Sequence, residues 1–498
     1  MRLWIGLCLP RLPLEVFCPH WSADTLAVVL EQEQVIALSP LAREAGVKPG
    51  MRRAGVLMLA PQARLHQRSP ELEAQAQQEV ALALLQYSPQ VAQAEEATLL
   101  VDAGASLRLF GGVRALCRRI EASLHALGYT AVLSCAPTAR GAWLLAQGLA
   151  KAGTKSGRAL SMASLMRRLD RLPCALLPPA RPFIEWFDGI GCLNLGQLRR
   201  LPRPGLQRRC GRPLLDMLDD AHGHSAELFV WIAAPPSFCA SLELFDRVEN
   251  AEALLFGARR LLQQLTGWLC ARQLAVERIA LLLIHERGRV AKPPTLVELA
   301  LGEAVWRDEH LVRLLRERLA QLALDGPVIG LRLEALQVQA MAPPSDSLFP
   351  EPGGTPQERQ RLMELLVARL GSGNVLQAVP QADYRPEAAN RWLPLPAKVA
   401  AKAAVPDLPP GLPGMPRPGW LLAQPIALLM REHRPFYGSP LRMVSAAERI
   451  EAGWWGQSQA RDYFIAEGLD HAHYWVYRER IAGSADEVPR WYLHGLFS

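Results

Sequence analysis

The sequence predicts an α+β fold with several domains, and three features carry this prediction. The first is a strand, helix and strand pattern in which the first strand ends in an acid, Asp102. The second is a βαββαβ order of elements across residues 240–338. The third is an aromatic stretch from Trp420 to Ser498 with alternating apolar positions, which is typical of a small β-rich domain.

The strand around Asp102 is the element on which the rest of the prediction is built. Residues 98–102 form a short apolar run, which predicts a buried strand that delivers its acidic end to a cleft. An apolar stripe that begins at Val113 predicts an amphipathic helix, with Gly128 just past its end. A second apolar run, residues 131–135, predicts the next strand of the same sheet.

Composition narrows the class of protein. The chain has 498 residues, 50% of them hydrophobic, which is enough material for three or four domains of about 150 residues each. We find no run of 18 or more uncharged apolar residues and no cleavage site after the first strand, so a cytoplasmic protein is expected. The net charge of +7 is consistent with a polyanionic partner.

Cysteine and histidine spacing predicts neither a cofactor nor a metal site. The nine cysteines form no Cys-x-x-Cys pair, so reduced and mostly buried thiols are expected. Two close histidine pairs, His222 with His224 and His471 with His473, have no further ligand at a suitable spacing. Ordinary loop or strand histidines are therefore favoured.

A helix-hairpin-helix turn is the most specific binding signal in the chain. Gly189, Ile190 and Gly191 lie between two helical stretches, and Asn194 with Gln197 predicts a capping box for the second helix. Glycines without Cβ atoms would let backbone N–H groups approach a DNA phosphate, with Ile190 filling the core. An ordinary glycine turn between two helices is the alternative. Six arginines follow within one short segment: Arg199, Arg200, Arg203, Arg208, Arg209 and Arg212.

Residues 95–112 resemble the palm of Y-family (translesion) DNA polymerases, and more closely the polymerase-like subunits of bacterial mutagenesis complexes. Residues 39–51 resemble the fingers signature of this family, in which a tyrosine and an arginine hold the triphosphate of the nucleotide. Arg43 matches the arginine, whereas Pro40 replaces the tyrosine. Where the family carries phosphate-binding lysines, the alignment has Ala139 and Trp143.

The resemblance implies that the metal-binding acids are missing. Ala97 and Thr98 occupy the places of an Asp-Glu pair, and residues 6–10 contain no acid where the first metal-binding aspartate is expected. Two-metal phosphoryl transfer needs several carboxylates in one coordination shell. Arg43 and Asp102 are therefore predicted to be the vestiges of a nucleotide site, Arg43 either still touching a phosphate or supporting the fold.

A right-hand architecture is implied for most of the chain, with a ferredoxin-like little finger. The predicted parts are palm (1–24 and 76–165), fingers (25–75), thumb with the helix-hairpin-helix (166–235), little finger (236–342), a clamp-motif loop with a helix and a Pro-rich linker (343–419), and a C-terminal partner-binding domain (420–498).

The resemblance implies a non-catalytic, DNA-binding scaffold of damage-induced (SOS) translesion synthesis. Its expected partners are DNA of any sequence, a sliding clamp, a RecA-like subunit of the same complex and a replicative-type error-prone polymerase. One alternative is an active translesion polymerase in which Glu95 and Glu96 supply the acids after a register shift. The remaining alternative is that the chain is some other DNA-binding or DNA-repair protein.

A short peptide ending in Leu-Phe is predicted to bind the sliding clamp. Three pairs of this kind are Leu244-Phe245, Leu348-Phe349 and Leu496-Phe497. The first falls in a predicted strand, and the third is expected to pack on the C-terminal domain. The middle pair lies in a loop between prolines and is favoured, with the predicted motif Ser345, Asp346, Ser347, Leu348 and Phe349.

Overall fold

The computed structural model describes residues 2–19, 25–154, 156–286, 292–341, 356–381, 383–395, 416–452, 459–480 and 490–497. The chain divides into two compact units, Met1–Arg369 and Leu370–Ser498. Among the described residues, no helix has the length and apolar character that crossing a membrane requires.

The first unit begins with two small sheets and the helices that cover them. In chain order the elements are β1 (Trp4–Cys8), α1 (Leu12–Glu15), β2 (Ala27–Glu31), β3 (Gln34–Leu38), α2 (Pro40–Glu44), α3 (Arg53–Leu59), β4 (Arg64–Gln67), α4 (Pro70–Leu84), β5 (Val91–Ala94), β6 (Thr98–Asp102), α5 (Val113–Leu127), β7 (Val132–Ala136), α6 (Ala139–Lys151) and β8 (Ser156–Arg158).

The palm-like sheet has five strands in the order β5-β6-β1-β7-β8. Strand β1 lies in its centre and runs antiparallel to both β6 and β7. Alternate residues of β1 point to opposite faces, so Ile5 and Leu7 pack with α4 and α5, whereas Trp4 packs with α6. Both faces of the central strand are therefore covered by helices. Helix α5 ends at Gly128 in the left-handed conformation, which confirms the predicted end.

The fingers-like sheet is smaller and has its own core. Its order is β3-β2-β4, with β2 antiparallel to β3 and parallel to β4. Val28, Val35 and Val56 are among the buried residues between this sheet and its helices. The hydroxyl of Ser39 caps α2 by accepting a hydrogen bond from the backbone N–H of Ala42.

The thumb-like part is entirely helical. It contains α7 (Met162–Leu169), two 3₁₀ segments (Cys174–Leu176 and Pro178–Phe183), α8 (Ile184–Gly189), α9 (Leu195–Arg200), α10 (Arg203–Cys210) and α11 (Arg212–His222). The predicted capping box is confirmed, because Asn194 and Gln197 each accept a hydrogen bond from the other's backbone N–H. Helix α11 ends at Gly223, which is in the left-handed conformation. Helix α10 is an element that the sequence analysis did not predict.

The predicted βαββαβ order is confirmed. The elements are β9 (Cys239–Val248), α12 (Leu254–Arg272), β10 (Leu274–His285), β11 (Thr295–Val305), α13 (Asp308–Ala320) and β12 (Val328–Ala340), after which α14 (Pro356–Leu370) follows. The sheet order is β11-β10-β12-β9, so the second and fourth strands lie in the centre. In the ferredoxin-like arrangement the first and third are central, and this sheet is thus a variant of the split βαβ plan.

Helix α12 joins the βαββαβ domain to the palm-like sheet. A Cβ atom on Gly267 would lie 1.9 Å from the carbonyl oxygen of Leu82 in α4, so the two helix backbones touch. The buried Arg260 guanidinium donates a hydrogen bond to the Tyr129 hydroxyl at 2.6 Å. Ser123 on α5 donates to the Gln263 amide oxygen at 2.9 Å. These buried polar contacts fix the register between the two domains.

The second unit consists of strands, which confirms the predicted β-rich C-terminal region. They are β13 (Leu376–Pro380), β14 (Asn390–Pro394), β15 (Trp420–Ala427), β16 (Leu429–Arg431), β17 (Arg434–Tyr437), β18 (Ser439–Pro440), β19 (Arg442–Met443), β20 (Glu448–Ala452), β21 (Gln459–Glu467), β22 (His473–Arg480) and β23 (Trp491–Leu496). The hairpin of β13 and β14 lies where the sequence predicts a helix and a linker. Most of that Pro-rich linker falls outside the described residues.

The largest sheet of the second unit packs an aromatic core over a buried acid. Its main order is β15-β23-β22-β21-β19, and β20 pairs with β21. Tyr463 stacks on Trp475 with ring centroids 4.1 Å apart. Burial would raise the pKa of the neighbouring Asp462, but hydrogen bonds from the guanidinium groups of Arg449, Arg478 and Arg480 lower it to about 2.

Candidate functional site

The pairing of β1 with β6 decides which predicted site residues lie together. Cys8 is opposite Thr98, whereas Trp4 is opposite Asp102. Asp102 therefore lies four residues along the strand from Thr98, or about 13 Å at roughly 3.3 Å per residue. One Oδ of Asp102 accepts the backbone N–H of Gly104 at 3.1 Å. The places that align with the family's acids thus meet at the Thr98 end of the sheet, away from Asp102.

Thr98 is fully buried in a closed hydrogen-bond network. The side-chain amide of Gln147 donates to the Thr98 hydroxyl at 2.9 Å and to the carbonyl oxygen of Glu96 at 3.0 Å. The Thr98 hydroxyl in turn donates to the same carbonyl at 3.1 Å. Burial raises the pKa of the adjacent Cys8 thiol to about 11, so this thiol stays protonated. The cluster is neutral and its polar groups are partnered internally.

Gly6 shows that the central strand has no room for an acid at this position. An added Cβ atom would lie 2.7 Å from the carbonyl oxygen of Ala142 in α6 and 2.8 Å from the hydroxyl of Ser134. The Ser134 hydroxyl donates to the Ala142 carbonyl at 2.5 Å, so neither group can move freely. Helix α6 therefore packs directly against the backbone of β1. The residues present at this end of the sheet do not fit a two-metal carboxylate site.

Glu95 and Glu96 lie in the turn between β5 and β6, where Glu96 and Ala97 have positive φ angles of 55° and 49°. Arg140 donates to Glu95 at 2.7 Å, and Arg181 forms an ion pair with Glu96. Burial acts to raise the pKa of Glu95, but the hydrogen bond and charge of Arg140 outweigh it and lower that pKa. Both acids are thus engaged by arginines of this chain.

The N-terminus of helix α6 is occupied by a carboxylate of the same chain. Glu227 accepts the backbone N–H groups of Ala139 and Arg140, each at 3.0 Å at the closest. Burial raises the pKa of this carboxyl group. A helix N-terminus attracts anions, and here Glu227 takes the position that a phosphate could occupy. Trp143, which aligns with a family lysine, is fully buried and donates its indole N–H to the Glu95 carbonyl at 3.0 Å.

A cavity of about 650 Å³ opens beside this end of the sheet. Its lining includes Cys8, Ala97, Gln147, Arg68 and Lys151. Arg68 is held by Glu73 at 2.8 Å and by Glu31 at 2.9 Å. Lys151 is the exposed last residue of α6. Lys151 lies about three turns past the start of this helix, where the sequence analysis expected the family's lysines, and it was not singled out there.

Arg43 lies on the fingers-like part, at the surface. Its side chain is exposed on α2, a helix held by the Ser39 cap. An exposed arginine on a helix can still cover apolar surface with its stem, so support of the fold also stays a prediction. A phosphate contact by Arg43 stays a prediction.

The thumb hairpin differs from its prediction at Ile190. This side chain is 47% exposed and does not fill the core. Phe187 and Cys192 are the buried residues on either side of the turn, so they fill the space that the sequence assigned to Ile190. Gly191 has a φ of +71°, which explains the second glycine, while an added Cβ on Gly189 would meet no atom within 4 Å. The turn is thus a C-terminal helix cap with an exposed isoleucine.

The backbone N–H groups of the hairpin are occupied within the chain. Those of Ile190, Gly191 and Cys192 donate to carbonyl oxygens of α8. Those of Leu193 and Asn194 donate to the side-chain oxygen of Gln197, at 2.8 and 3.2 Å. A phosphate contact at this turn would therefore have to share these donors.

Several arginines of the segment 199–212 already have partners. Arg203 contacts Asp219 at 2.6 Å, Arg199 contacts Asp170 at 3.3 Å, and Arg209 lies over the Trp186 ring at 4.7 Å. The hydrogen bond from Arg203 lowers the pKa of Asp219. Arg200 is exposed, and the described residues include no ion-pair partner for it. Arg200 is consequently the residue of the predicted trio most available to a phosphate.

The predicted clamp motif, residues 345–349, lies outside the described residues. Both rival pairs are described. Leu244 and Phe245 lie within β9, as predicted, at an irregularity between the pairs of Glu243 with Gly330 and of Val248 with Val328. Leu496 ends β23, and Phe497 packs on the aromatic cluster of the second unit, also as predicted. The favoured motif itself stays a prediction.

Comparison with known proteins confirms the predicted resemblance. Residues 15–147 match the impB/mucB/samB family model. The chain is 25% identical over 482 residues to Protein ImuB of Caulobacter vibrioides strain NA1000 / CB15N, which covers 91% of this chain and 100% of the relative. Protein ImuB of strain ATCC 19089 / CIP 103742 / CB 15 gives the same values. The chain is thus ImuB-like along nearly its whole length.

Solved structures of Y-family DNA polymerases are similar over part of the chain. A Dbh ternary complex is 16% identical and covers 67% of this chain and 98% of its own, with a TM-score of 0.38. A Y-family DNA polymerase chimera built on Dbh gives the same identity and coverage, with a TM-score of 0.37. Values this low do not establish a common arrangement of domains.

Proposed function

We propose that this ImuB-like protein is a non-catalytic, DNA-binding scaffold of SOS-induced, error-prone translesion synthesis. It holds primer-template DNA, a sliding clamp and a partner error-prone polymerase together in the cytoplasm. The palm-like sheet keeps the shape of a polymerase without performing nucleotide transfer. The expected effect of such a protein is to place another polymerase at a damaged template.

The neutral, internally hydrogen-bonded cluster at the Thr98 end of the sheet is the observation that carries this proposal. Residues 6–10, Ala97 and Thr98 stand where the family's metal-binding acids are expected, and α6 contacts the sheet at Gly6 and Thr98. Thr98 and Cys8 are neutral and buried, so they supply no charge to balance Mg²⁺. A protein of this shape can hold DNA without catalysing transfer.

DNA contact is assigned to the thumb hairpin, Gly189 to Gly191, and to Arg199, Arg200 and Arg203. These are expected to be contacts to phosphate, which carry no sequence information directly. The ion pairs of Arg199 and Arg203 reduce their net positive field, so Arg200 dominates the electrostatic contribution of this trio.

Binding of the sliding clamp is assigned to the peptide Ser345, Asp346, Ser347, Leu348 and Phe349. Its two apolar side chains would each contribute roughly 1.5 to 3 kcal/mol if fully buried on the clamp. We expect the double substitution Leu348→Ala with Phe349→Ala to abolish retention by the clamp in a pull-down. Removal of residues 494–498 is the matched comparison. Loss of binding only in the second variant would move the site to the C-terminus.

Binding of the other two partners is assigned to the second unit. These partners are a RecA-like (ImuA-type) subunit and a replicative-type error-prone polymerase. Its sheet is stabilised internally by Asp462 and the three arginines around it. The unit therefore has a core of its own, from which surface side chains can reach a partner.

A primer-extension assay on the purified full chain tests the proposal. With Mg²⁺ or Mn²⁺ we expect no nucleotide incorporation, while the same preparation retards primer-template DNA in a gel. The alternative, an active translesion polymerase, requires Glu95 and Glu96 to leave Arg140 and Arg181 and bind metal. Incorporation that disappears in a Glu95→Gln/Glu96→Gln variant would establish that alternative and overturn the scaffold.

A further inference from the structure

A second cavity lies on the palm-like sheet, outside the site described above. It has a volume of about 440 Å³ and lies between helix α5 and strands β7 and β8. Two cysteines, Cys117 of α5 and Cys135 of β7, form part of its wall. The polar groups that face it are Arg114, Arg118 and Glu121 from α5, and Ser156 and Arg158 from β8.

The two thiols are already in contact. The Sγ atoms of Cys117 and Cys135 are 3.7 Å apart and form a thiol hydrogen bond. A disulfide has an S–S length of about 2.05 Å, so the sulfurs would need to approach by roughly 1.7 Å. Cys117 is only partly buried and borders the cavity, so its side chain has space to rotate. Cys135 is buried in the strand and acts as the fixed partner.

The surroundings distinguish the roles of the two sulfurs. The hydrogen bond from Cys135 lowers the pKa of Cys117 against the effect of burial, and the positive charge of Arg158 acts in the same direction. Glu121 opposes this shift. The contact with Cys117 and burial both raise the pKa of Cys135. Arg158 acts to lower the pKa of both thiols, whereas only Cys117 is partly exposed at the cavity. Cys117 is therefore the thiol that peroxide reaches, and thiolates are the form that peroxides oxidise.

We propose that Cys117 and Cys135 are a peroxide-oxidisable pair, with Cys117 as the reacting thiol and Cys135 as the resolving thiol. The Cys117 thiolate attacks one oxygen of hydrogen peroxide, which breaks the O–O bond and gives a sulfenic acid and hydroxide. The Cys135 sulfur then attacks the sulfenic sulfur, and the departing hydroxyl takes up a proton to leave as water. In sum, two thiols and one peroxide give one disulfide and two waters.

The chain contains a matched control pair. Cys174 and Cys192 are also neighbours, since the Cys174 thiol contacts the carbonyl oxygen of Cys192 at 3.6 Å. Both are buried in the thumb-like part, and burial raises the pKa of Cys174 to about 12 and also raises that of Cys192. Proximity alone would oxidise both pairs, whereas the proposal selects only the pair at the arginine-lined cavity.

The test treats the full-length protein with a small excess of hydrogen peroxide, blocks remaining thiols by alkylation and maps peptides without reduction. Trypsin cuts after Arg118 and Arg140, so the two cysteines fall on separate peptides that only a disulfide can join. We expect the Cys117–Cys135 linked peptide to form at least tenfold faster than any product of Cys174 or Cys192. Arg158→Gln should slow this reaction several-fold.

Two further variants separate the chemical steps. Cys135→Ser should accumulate a sulfenic acid on Cys117 that dimedone traps, and Cys117→Ser should leave Cys135 as a free thiol. Two results would overturn the proposal. One is that both thiols stay alkylatable at a peroxide concentration that oxidises free glutathione. The other is that Cys117 in the native sequence is oxidised to sulfinic acid without the link.

Discussion

The Thr98 end of the palm-like sheet is where the family's metal-binding acids are expected, and the thumb hairpin is where the sequence predicts DNA contact, but the structure treats the two regions differently. At Thr98 the polar groups are buried and partnered by Gln147 and by carbonyl oxygens. At the hairpin, the backbone donors are also used internally, while Arg200 remains exposed. Substitutions in the first region should therefore change stability, and substitutions in the second should change binding.

The largest expected effect is that of Gly6→Asp. The new side chain would collide with the Ala142 carbonyl and bury a carboxylate, so we expect the free energy of unfolding to fall by more than about 4 kcal/mol. Gly55→Asp on α3 is the control, because a Cβ there meets no atom within 4 Å. The thermal unfolding temperature and the soluble yield are measured for both variants. Equal stability of the two would show that α6 does not close the sheet.

A smaller loss is expected for Gln147→Leu. This change removes the two hydrogen bonds to Thr98 and Glu96 and leaves the buried Thr98 hydroxyl oxygen without the donor from Gln147, at a cost of about 1 to 3 kcal/mol. Gln75→Leu, in which an exposed glutamine on α4 loses its contact with Glu79, should stay within about 0.5 kcal/mol. Hydrogen exchange of the β1 and β6 amides reports the local effect. Unchanged protection in the Gln147 variant would contradict the closed network.

In the thumb, substitutions of charged residues should change the affinity for DNA and leave the free energy of unfolding nearly constant. Arg200→Gln should reduce the slope of log affinity against log salt by about 0.9 if it removes one phosphate contact. Arg203→Gln should reduce it less, because Asp219 already pairs with Arg203. Asp219→Asn should raise the affinity by freeing that arginine. A fluorescence titration with DNA at several salt concentrations measures the affinity and the salt slope of each variant. Lower affinity in Asp219→Asn would place the DNA surface elsewhere.

The smallest effect concerns acid pH at the Thr98 end. The pKa of Glu95 lies below its usual 4.5, so its contribution to stability is present above about pH 4.5 and is lost as the pH falls through the folded-state value. Glu95→Gln should reduce the acid dependence of β6 hydrogen exchange in that range, and Glu71→Gln on the exposed start of α4 is the control. Identical pH profiles for the native chain and the Glu95 variant would contradict the Arg140 contact.

Local patterns were predictable because their causes lie within a few residues. Asn194 and Gln197 form the capping box by contacts three residues apart, and Gly128 ends α5 in a conformation that glycine favours. The βαββαβ order follows from alternation and periodicity in the same way. The resemblance to Y-family polymerases supplied the long-range arrangement that local patterns cannot specify.

What sequence reasoning missed depends on contacts between distant segments. Glu227 reaches the start of α6 from 87 residues away, and no motif marks that pairing. The steric role of Gly6 requires knowing that α6 crosses β1. Ile190 was misassigned because an apolar residue between glycines was expected to be buried, whereas Phe187 and Cys192 already fill that space.

The docking of α12 has a consequence for how the protein is made. Gln263 contacts Gln86, which lies two residues past the end of α4, although the two are 177 residues apart in the chain. At a synthesis rate of about 5 to 20 residues per second, α12 is made about 10 to 35 seconds after α4 and α5. The outer faces of α4 and α5 therefore stay uncovered for that time during synthesis. During that interval, Leu82 and the groove that later receives Gly267 are open to chaperones or to other nascent chains.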